Sequence, residues 1–82
     1  MLLLLYTRST CSFCERAKAL LEAHGVPFTE HSLDDDRALA AKLQARLGRP
    51  AMPYVMLDGE LVGGLAELEE LAAAGELGPR RA

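Results

Sequence analysis

Residues 2–14 read LLLLYTRSTCSFC, an apolar run followed by a short polar stretch and two cysteines that are separated by two residues. A continuous apolar run of this kind is typical of a strand that is covered on both faces of a sheet. Ser9 and Thr10 are residue types that commonly cap helices, so a helix is predicted over 11–23, with Gly25 as its stop signal. The two cysteines therefore lie where a buried strand ends and a helix begins.

Outward from this junction, turn residues divide the rest of the chain into further strands and helices. Asp58-Gly59 is typical of a tight hairpin turn, Gly48 of a helix end, and Gly63-Gly64 of a break before a last helix. The predicted elements are strands over 28–32, 54–57 and 60–62, a second helix ending near Leu47, and a third helix from Leu65 to about Ala74. The order βαβαββα predicts an α/β fold, a mixed four-stranded sheet flanked by three helices, in a single domain over 1–82.

The second helix has two candidate caps and one candidate core face. Asp34 or Asp35 is expected to cap its first turn. Leu39, Leu43 and Leu47 recur four residues apart and are expected to form its buried stripe.

Composition narrows the classes of function. The 82-residue chain carries a formal net charge of −3, so a nucleic-acid partner is not expected. The run Met1–Leu5 lacks a basic leader and is far shorter than the roughly 20 residues that span a membrane, so a cytoplasmic location is expected. In the reducing cytosol, two cysteines so close in sequence indicate redox catalysis or a metal site.

The segment Cys11-Ser12-Phe13-Cys14 has the spacing of a dithiol redox pair. The unpaired N–H groups and the positive dipole end at a helix start favour the thiolate form of Cys11, and Arg8 adds positive charge nearby. Cys14, one turn further in, is expected to be shielded yet within reach of the first sulfur. The prediction is that Cys11 attacks a substrate disulfide and that Cys14 resolves the mixed disulfide.

Two other interpretations of the cysteines remain open. They could be buried structural residues, although a helix start is an exposed place for them. They could also be half of a zinc site, with His24 and His31 as the only further soft ligands. Nine residues separate Cys14 from His24 and six separate the histidines. Because the usual zinc-finger separations are about 12 and 3–5, no metal is expected.

Residues 6–14, YTRSTCSFC, resemble the glutaredoxins, which carry Tyr-Thr-Lys-x-x-Cys-Pro-Tyr-Cys or close variants. The likeness covers nearly the whole chain and extends to 16–21, Met52-Pro53, Asp58-Gly59 and Gly63-Gly64. It implies the thioredoxin-like fold, a cis Pro53 that faces the cysteines, and glutathione as the reductant. From the sequence alone, Pro53 could instead simply open an edge strand.

The resemblance also implies a glutathione site. The backbone of Met52 would align an extended peptide, and the helix start after the glycine pair would bind the γ-glutamyl end. Arg8, with Arg49 or Arg37, would hold the glycyl carboxylate, although a solvated surface charge is an equally open interpretation of each arginine. The contact residues implied in this way are Arg8, Phe13, Met52, Pro53, Gly64, Leu65 and Ala66.

Two positions depart from the family pattern. Ala66 stands where the family commonly has an Asp that meets the glutathione ammonium, and Ala51 replaces a threonine hydroxyl. Losing one charge-assisted hydrogen bond weakens binding by about 1.5–3 kcal/mol, or one to two decades in affinity. Redox chemistry is therefore predicted more firmly than the identity of the electron donor.

Three functions are consistent with these sequence features. The leading hypothesis is a monomeric, glutathione-dependent dithiol reductase of protein disulfides and glutathionylated thiols, acting in electron transport and redox homeostasis with no membrane partner. The Ala66 departure leaves open a redoxin that is reduced by thioredoxin reductase and donates electrons to ribonucleotide reductase. Ser12 in place of the usual proline leaves open an iron–sulfur cluster that two subunits share through Cys11 and glutathione.

Overall fold

The computed structural model describes residues 2–77, and its helices and strands agree with the sequence prediction to within one residue at each predicted end. No helix in this range is long and apolar enough to cross a membrane. The elements are β1 (Leu3–Thr7), α1 (Ser12–Ala23), β2 (Thr29–Ser32), α2 (Arg37–Leu47), β3 (Tyr54–Leu57), β4 (Glu60–Gly63) and α3 (Leu65–Ala73).

The four strands form one mixed sheet in the order β2-β1-β3-β4. β1 is parallel to β2 and antiparallel to β3, where Leu5 lies opposite Val55. β3 and β4 are joined by the predicted hairpin turn, whose residues Asp58 and Gly59 have positive φ values of 50° and 87°. Two consecutive positive φ values match the twist of the flanking strands. The predicted mixed sheet is confirmed.

Two apolar clusters, one on each face of the sheet, hold the helices. α1 and α3 cover one face, and α2 alone covers the other. Because one helix covers less area than two, Leu4 and Tyr6 of β1 are only half-buried, whereas the sequence predicted complete cover on both faces. In the α2 stripe, Leu43 is buried and Leu39 and Leu47 are partly buried. The fully buried side chains of the two-helix face are Leu3, Leu5, Ala17, Leu21, Val55 and Leu68.

The cap of α2 is Asp36, so the prediction of Asp34 or Asp35 was wrong. The Oδ1 atom of Asp36 accepts the N–H of Leu39 at 3.1 Å. Asp34 instead accepts the N–H of Ser9 at 3.1 Å, a bond that holds the pKa of this carboxyl below its ordinary value. The three aspartates are equivalent as residue types, and the tertiary contact with Ser9 engages Asp34 away from the helix start. Asp34 thereby fastens the segment before Cys11 to the end of β2.

Replacing Asp36 by alanine is expected to lower the free energy of unfolding by about 1 kcal/mol, the usual cost of losing an N-cap side chain. The matched control is Asp35→Ala, which removes the neighbouring carboxylate and no capping bond. Urea unfolding at neutral pH measures both changes. Equal losses in the two variants would contradict the assignment of the cap.

Candidate active site

Cys11 is the N-cap of α1, a role that the sequence assigned to Ser9 or Thr10. Its backbone is extended, with φ −140°, and its Sγ accepts the N–H of Cys14 at 3.1 Å. A sulfur therefore takes the place that an oxygen usually holds at a helix start. The thiol also donates to the carbonyl oxygen of Met52 across 3.9 Å. Cys11 is half-buried, so part of this residue is exposed to solvent.

Cys14 lies beneath Cys11 and has no exposed surface. Burial, followed by the hydrogen bond with Cys11, raises the pKa of the Cys14 thiol to about 12. Cys14 is therefore protonated at neutral pH while Cys11 meets solvent. The predicted shielding of the second sulfur is present, and both cysteines are free thiols.

The Met52–Pro53 peptide bond is cis, as the resemblance implied. Pro53 is fully buried directly before β3, which is a central strand and not the edge strand that the alternative interpretation required. The carbonyl of Met52 lies against Cys11, so this loop and the start of α1 meet at the sulfur.

A groove of about 780 Å³ lies beside the cysteines, between α1, α2, the Met52 loop and the start of α3. Five of the seven predicted contact residues line it, together with Arg49. Pro53 and Gly64 are buried and do not line it, and Arg37 is also absent from the lining. The predicted residues in the lining are Arg8, Phe13, Met52, Leu65 and Ala66.

Sequence reasoning missed the α2 wall of this groove and one of its charged pairs. Ala40, Ala41 and Gln44 line the groove, and nothing in their residue types signals a site. The guanidinium of Arg16 lies 5.7 Å from the ring centroid of the half-exposed Phe13 and pairs with Glu69 at 3.4 Å. The only signal for this wall in the sequence was a spacing: small side chains lie one turn apart on the exposed flank of α2.

The glycine pair before α3 allows other parts of the chain to pack closely against its backbone. Gly63 has φ 140°, and a Cβ at this position would overlap the Glu67 carboxylate. A Cβ on Gly64 would lie 3.1 Å from the carbonyl oxygen of Pro53. The two glycines therefore allow the Glu67 side chain and the Pro53 backbone to approach.

No group of three or more His, Cys, Asp or Glu side chains that could hold a metal ion occurs within residues 2–77. Of the two candidate histidine ligands, His24 is the C-cap of α1, at the opposite end from the cysteines. His31 contacts the Tyr6 ring edge-on, with ring centroids 5.5 Å apart.

A protein-family model described as glutaredoxin matches residues 3–62. The chain belongs to the glutaredoxin family. Glutaredoxin 3 of Escherichia coli is 40% identical over 75 residues, which cover 92% of this chain and 90% of that protein. A glutaredoxin of Pseudomonas aeruginosa is 37% identical over 73 residues, covering 89% of this chain and 87% of that protein.

Solved glutaredoxin structures have the same fold. The crystal structure of a buckwheat glutaredoxin–glutathione complex aligns with a TM-score of 0.83 at 27% identity, over 92% of this chain and 71% of that one. The solution structure of glutaredoxin from Brucella melitensis aligns with a TM-score of 0.82 at 36% identity, over 93% of this chain and 83% of that one. This glutaredoxin therefore has the thioredoxin-like fold and is a thiol-disulfide oxidoreductase.

Both carboxylate oxygens of Glu67 have partners within this glutaredoxin. One carboxylate oxygen accepts the N–H of Gly64 at 2.7 Å, and the other pairs with Arg49 at 2.9 Å. These contacts, the Gly64 bond first, hold the pKa of Glu67 below its ordinary value. Since Ala66 carries no carboxylate, neither residue at the start of α3 directs a free negative charge into the groove.

The Glu67 contacts predict a pH-dependent stability. A carboxyl whose pKa is lowered by folding stabilises the protein above its unfolded pKa, about 4.5, and loses this effect as the pH falls through the folded value. Replacing Glu67 by glutamine keeps an acceptor for Gly64 but removes the charge facing Arg49. The expected loss at pH 7 is about 0.5–1 kcal/mol, since the pair is partly exposed.

Urea unfolding at pH 7 and at acidic pH tests this expectation. The difference between Glu67→Gln and wild type should start to shrink as the pH falls below about 4.5, and it should close once the pH is below the lowered pKa of the folded protein, where the carboxyl is protonated in both states. Glu70→Gln, on the same helix and exposed, is the matched control. A gap that persists unchanged at acidic pH would contradict the role of the charge.

Proposed function

We propose that this glutaredoxin is a glutathione-dependent dithiol–disulfide oxidoreductase that reduces protein disulfides and mixed disulfides of glutathione through Cys11 and Cys14. The observation that carries the proposal is the stacking of an accessible sulfur over a buried one at the start of α1. Cys11 is partly exposed next to Phe13 and Met52, which line the groove, and Cys14 is buried and protonated. Accessible and shielded thiols differ in reactivity in the way that two-step exchange requires.

The dithiol route proceeds by two exchanges. The Cys11 thiolate attacks one sulfur of the substrate disulfide, forming a mixed disulfide, and the leaving sulfur takes up a proton. Cys14 then gives up its proton and attacks the Cys11 sulfur, which releases the second substrate thiol and leaves a Cys11–Cys14 disulfide. Two glutathione molecules return the pair to dithiols and are themselves oxidised to glutathione disulfide.

The second exchange is favoured by the first. Two of the contributions that raise the pKa of Cys14 come from Cys11, as a hydrogen-bond partner and as a nearby charge. Both end when the Cys11 sulfur becomes part of a mixed disulfide, which carries no charge. Burial, the largest of the causes that raise the pKa of Cys14, remains in the mixed disulfide. We expect the loss of the two Cys11 contributions to make the Cys14 thiol easier to deprotonate at that stage.

The charged residues that line the groove support glutathione as its ligand. The peptide would lie along the Met52 backbone, with its glycyl carboxylate near Arg8 and Arg49 and its γ-glutamyl carboxylate at the N–H groups of Leu65 and Ala66. The first N–H groups of a helix have no partner within the helix, which suits an anion. The buckwheat relative was crystallised with glutathione, which supports this assignment.

The electron donor is tested by coupling disulfide reduction to NADPH oxidation in two separate systems. With glutathione and glutathione reductase, we expect turnover of a small glutathione mixed disulfide. Turnover with thioredoxin reductase alone, and none with glutathione, would overturn the glutathione assignment. It would support the second candidate, a redoxin reduced by that flavoprotein. The specific observation that favours this second candidate is the missing carboxylate at Ala66, combined with the engagement of Glu67 by Arg49.

A further inference from the structure

Tyr54, the first residue of β3, is a buried tyrosine that also lines the groove. Only 3% of its surface is exposed, and its side chain packs with Leu33 and Leu43 in the apolar cluster between the sheet and α2. Its hydroxyl oxygen lies 3.2 Å from the backbone nitrogen of Ala51, another groove-lining residue, and accepts that N–H. The polar end of Tyr54 therefore lies at the wall of the groove, while its ring belongs to the core.

The hydroxyl proton of Tyr54 has no acceptor among residues 2–77. The hydroxyl accepts one hydrogen bond, from Ala51, and donates none within this range. A phenolic hydroxyl can both accept and donate, and a buried one usually finds a partner for its proton. A buried donor that makes no hydrogen bond costs free energy. Tyr54 thus offers a hydrogen-bond donor to a group that enters the groove.

The neighbours of this donor indicate which end of glutathione it would meet. Arg49, Pro50 and Ala51 line the groove one after another, and in the proposed function the glycyl carboxylate lies near Arg49. The Arg49 guanidinium pairs with Glu67 at 2.9 Å, so its charge is shared with a carboxylate of the protein itself. The Tyr54 proton has no such competitor among the described residues. A hydrogen bond to an ionised acceptor is about twice as strong as one between neutral groups.

We propose that the Tyr54 hydroxyl donates a hydrogen bond to the glycyl carboxylate of bound glutathione, and so determines specificity for thiols that carry this carboxylate. The same oxygen continues to accept the N–H of Ala51. One hydroxyl then links the ligand to the segment that leads to Met52, whose carbonyl oxygen faces the Cys11 sulfur. This inference rests on the proposed function and deepens it, since it assigns a residue to one end of the ligand.

Tyr54→Phe tests the proposal, because it removes the hydroxyl and keeps the ring in the core. The substrates are two mixed disulfides with the same small thiol. One contains glutathione, and the other contains γ-glutamylcysteine methylamide, which is glutathione without the glycyl carboxylate. Initial rates of release of the small thiol, with glutathione as the second thiol in both cases, give kcat and KM.

Tyr6→Phe is the matched control, since Tyr6 is the only other tyrosine of the chain. It lies directly opposite Tyr54 in the sheet and packs against the same apolar cluster. The residues that line the groove do not include Tyr6. The two variants therefore make the same chemical change on neighbouring strands, inside the groove and outside it.

We expect wild type to prefer the glutathione substrate. Tyr54→Phe should lower kcat/KM for this substrate by about 10-fold, mainly through KM, which is the size of one hydrogen bond to a charged group. The methylamide substrate should change much less, so the preference falls by nearly the same factor. Tyr6→Phe should leave the preference unchanged. A loss that came only from the unpaired N–H of Ala51 would affect both substrates equally, because the segment leading to Met52 meets the part that they share.

An equal loss with both substrates, or no loss with glutathione, would overturn the proposal. The same loss of preference in Tyr6→Phe would overturn it as well. The proposed function is read separately, as wild-type turnover of the glutathione mixed disulfide. Turnover with a preference that Tyr54→Phe does not change would overturn the role of the hydroxyl alone. Absence of wild-type turnover would overturn the proposed function, and this inference with it.

Discussion

Replacing Cys11 by serine is expected to abolish every thiol–disulfide reaction of this glutaredoxin, with kcat/KM falling by at least about 1,000-fold. A serine hydroxyl is not ionised at neutral pH, and it cannot form the mixed disulfide through which both steps proceed. The fold should be retained, because serine is a good N-cap and the Sγ of Cys11 caps α1 in the wild-type protein. The loss is therefore one of chemistry and not of structure.

Two measurements on Cys11→Ser separate these effects. Turnover of a small glutathione mixed disulfide reports the chemistry, and urea unfolding reports the stability. We expect no turnover and a free energy of unfolding that is unchanged or higher. Appreciable residual turnover would show that another group is the nucleophile. A large loss of stability would contradict the capping role assigned to the sulfur.

Replacing Cys14 by serine is expected to impair one of the two reactions and to spare the other. Reduction of a protein disulfide by the dithiol route should fall by about 100-fold or more, because no second thiol remains to release the substrate. Removal of glutathione from a mixed disulfide should continue, since a second glutathione molecule can take the place of the resolving thiol. The buried hydroxyl can accept the backbone N–H of Arg8, which already bonds to the Cys14 sulfur, so the fold should tolerate the change.

The test of Cys14→Ser uses a protein disulfide and a glutathione mixed disulfide in parallel. Cys11→Ser is the control, because it should lose both activities. Loss of both in Cys14→Ser, with the fold intact by circular dichroism, would remove the distinct roles given to the two cysteines. Retention of both would mean that glutathione alone resolves the protein mixed disulfide.

The elements of the fold were predictable because local signals agree along the chain. The apolar run of β1, the Asp58-Gly59 turn and the glycines after each helix all mark boundaries that the structure keeps. The caps were not predictable. Asp34, Asp35 and Asp36 are identical in kind, and their roles differ only in the folded chain, where Asp34 accepts the N–H of Ser9 and Asp36 accepts that of Leu39. A choice between equivalent neighbours is made by tertiary contacts that a linear pattern does not contain.

Some residues of the candidate site could likewise be predicted from the sequence, and others could not. Cys11 and Cys14 carry their chemistry in residue type and spacing, so they could be identified from the sequence, whereas Met52, which acts through its backbone carbonyl, was indicated only by the family resemblance. Ala41 and Gln44 could not be identified, because they matter only through the flank of α2 that faces the groove. That flank is set by the burial of Leu43 on the other side of the helix. The engagement of Glu67 was likewise hidden, since it depends on Gly63 having no side chain.

Under peroxide, the burial of Cys14 decides which sulfur is oxidised. The oxidant reaches Cys11 and converts it to a sulfenic acid, while Cys14 stays inaccessible and protonated. The neighbouring thiol then condenses with the sulfenic acid, releasing water and forming a Cys11–Cys14 disulfide, which is a reversible state. Further oxidation to the irreversible sulfinic acid needs a second oxidant molecule, which must arrive before that condensation. A thiol stored one helical turn below the surface thus protects the one above it from permanent damage.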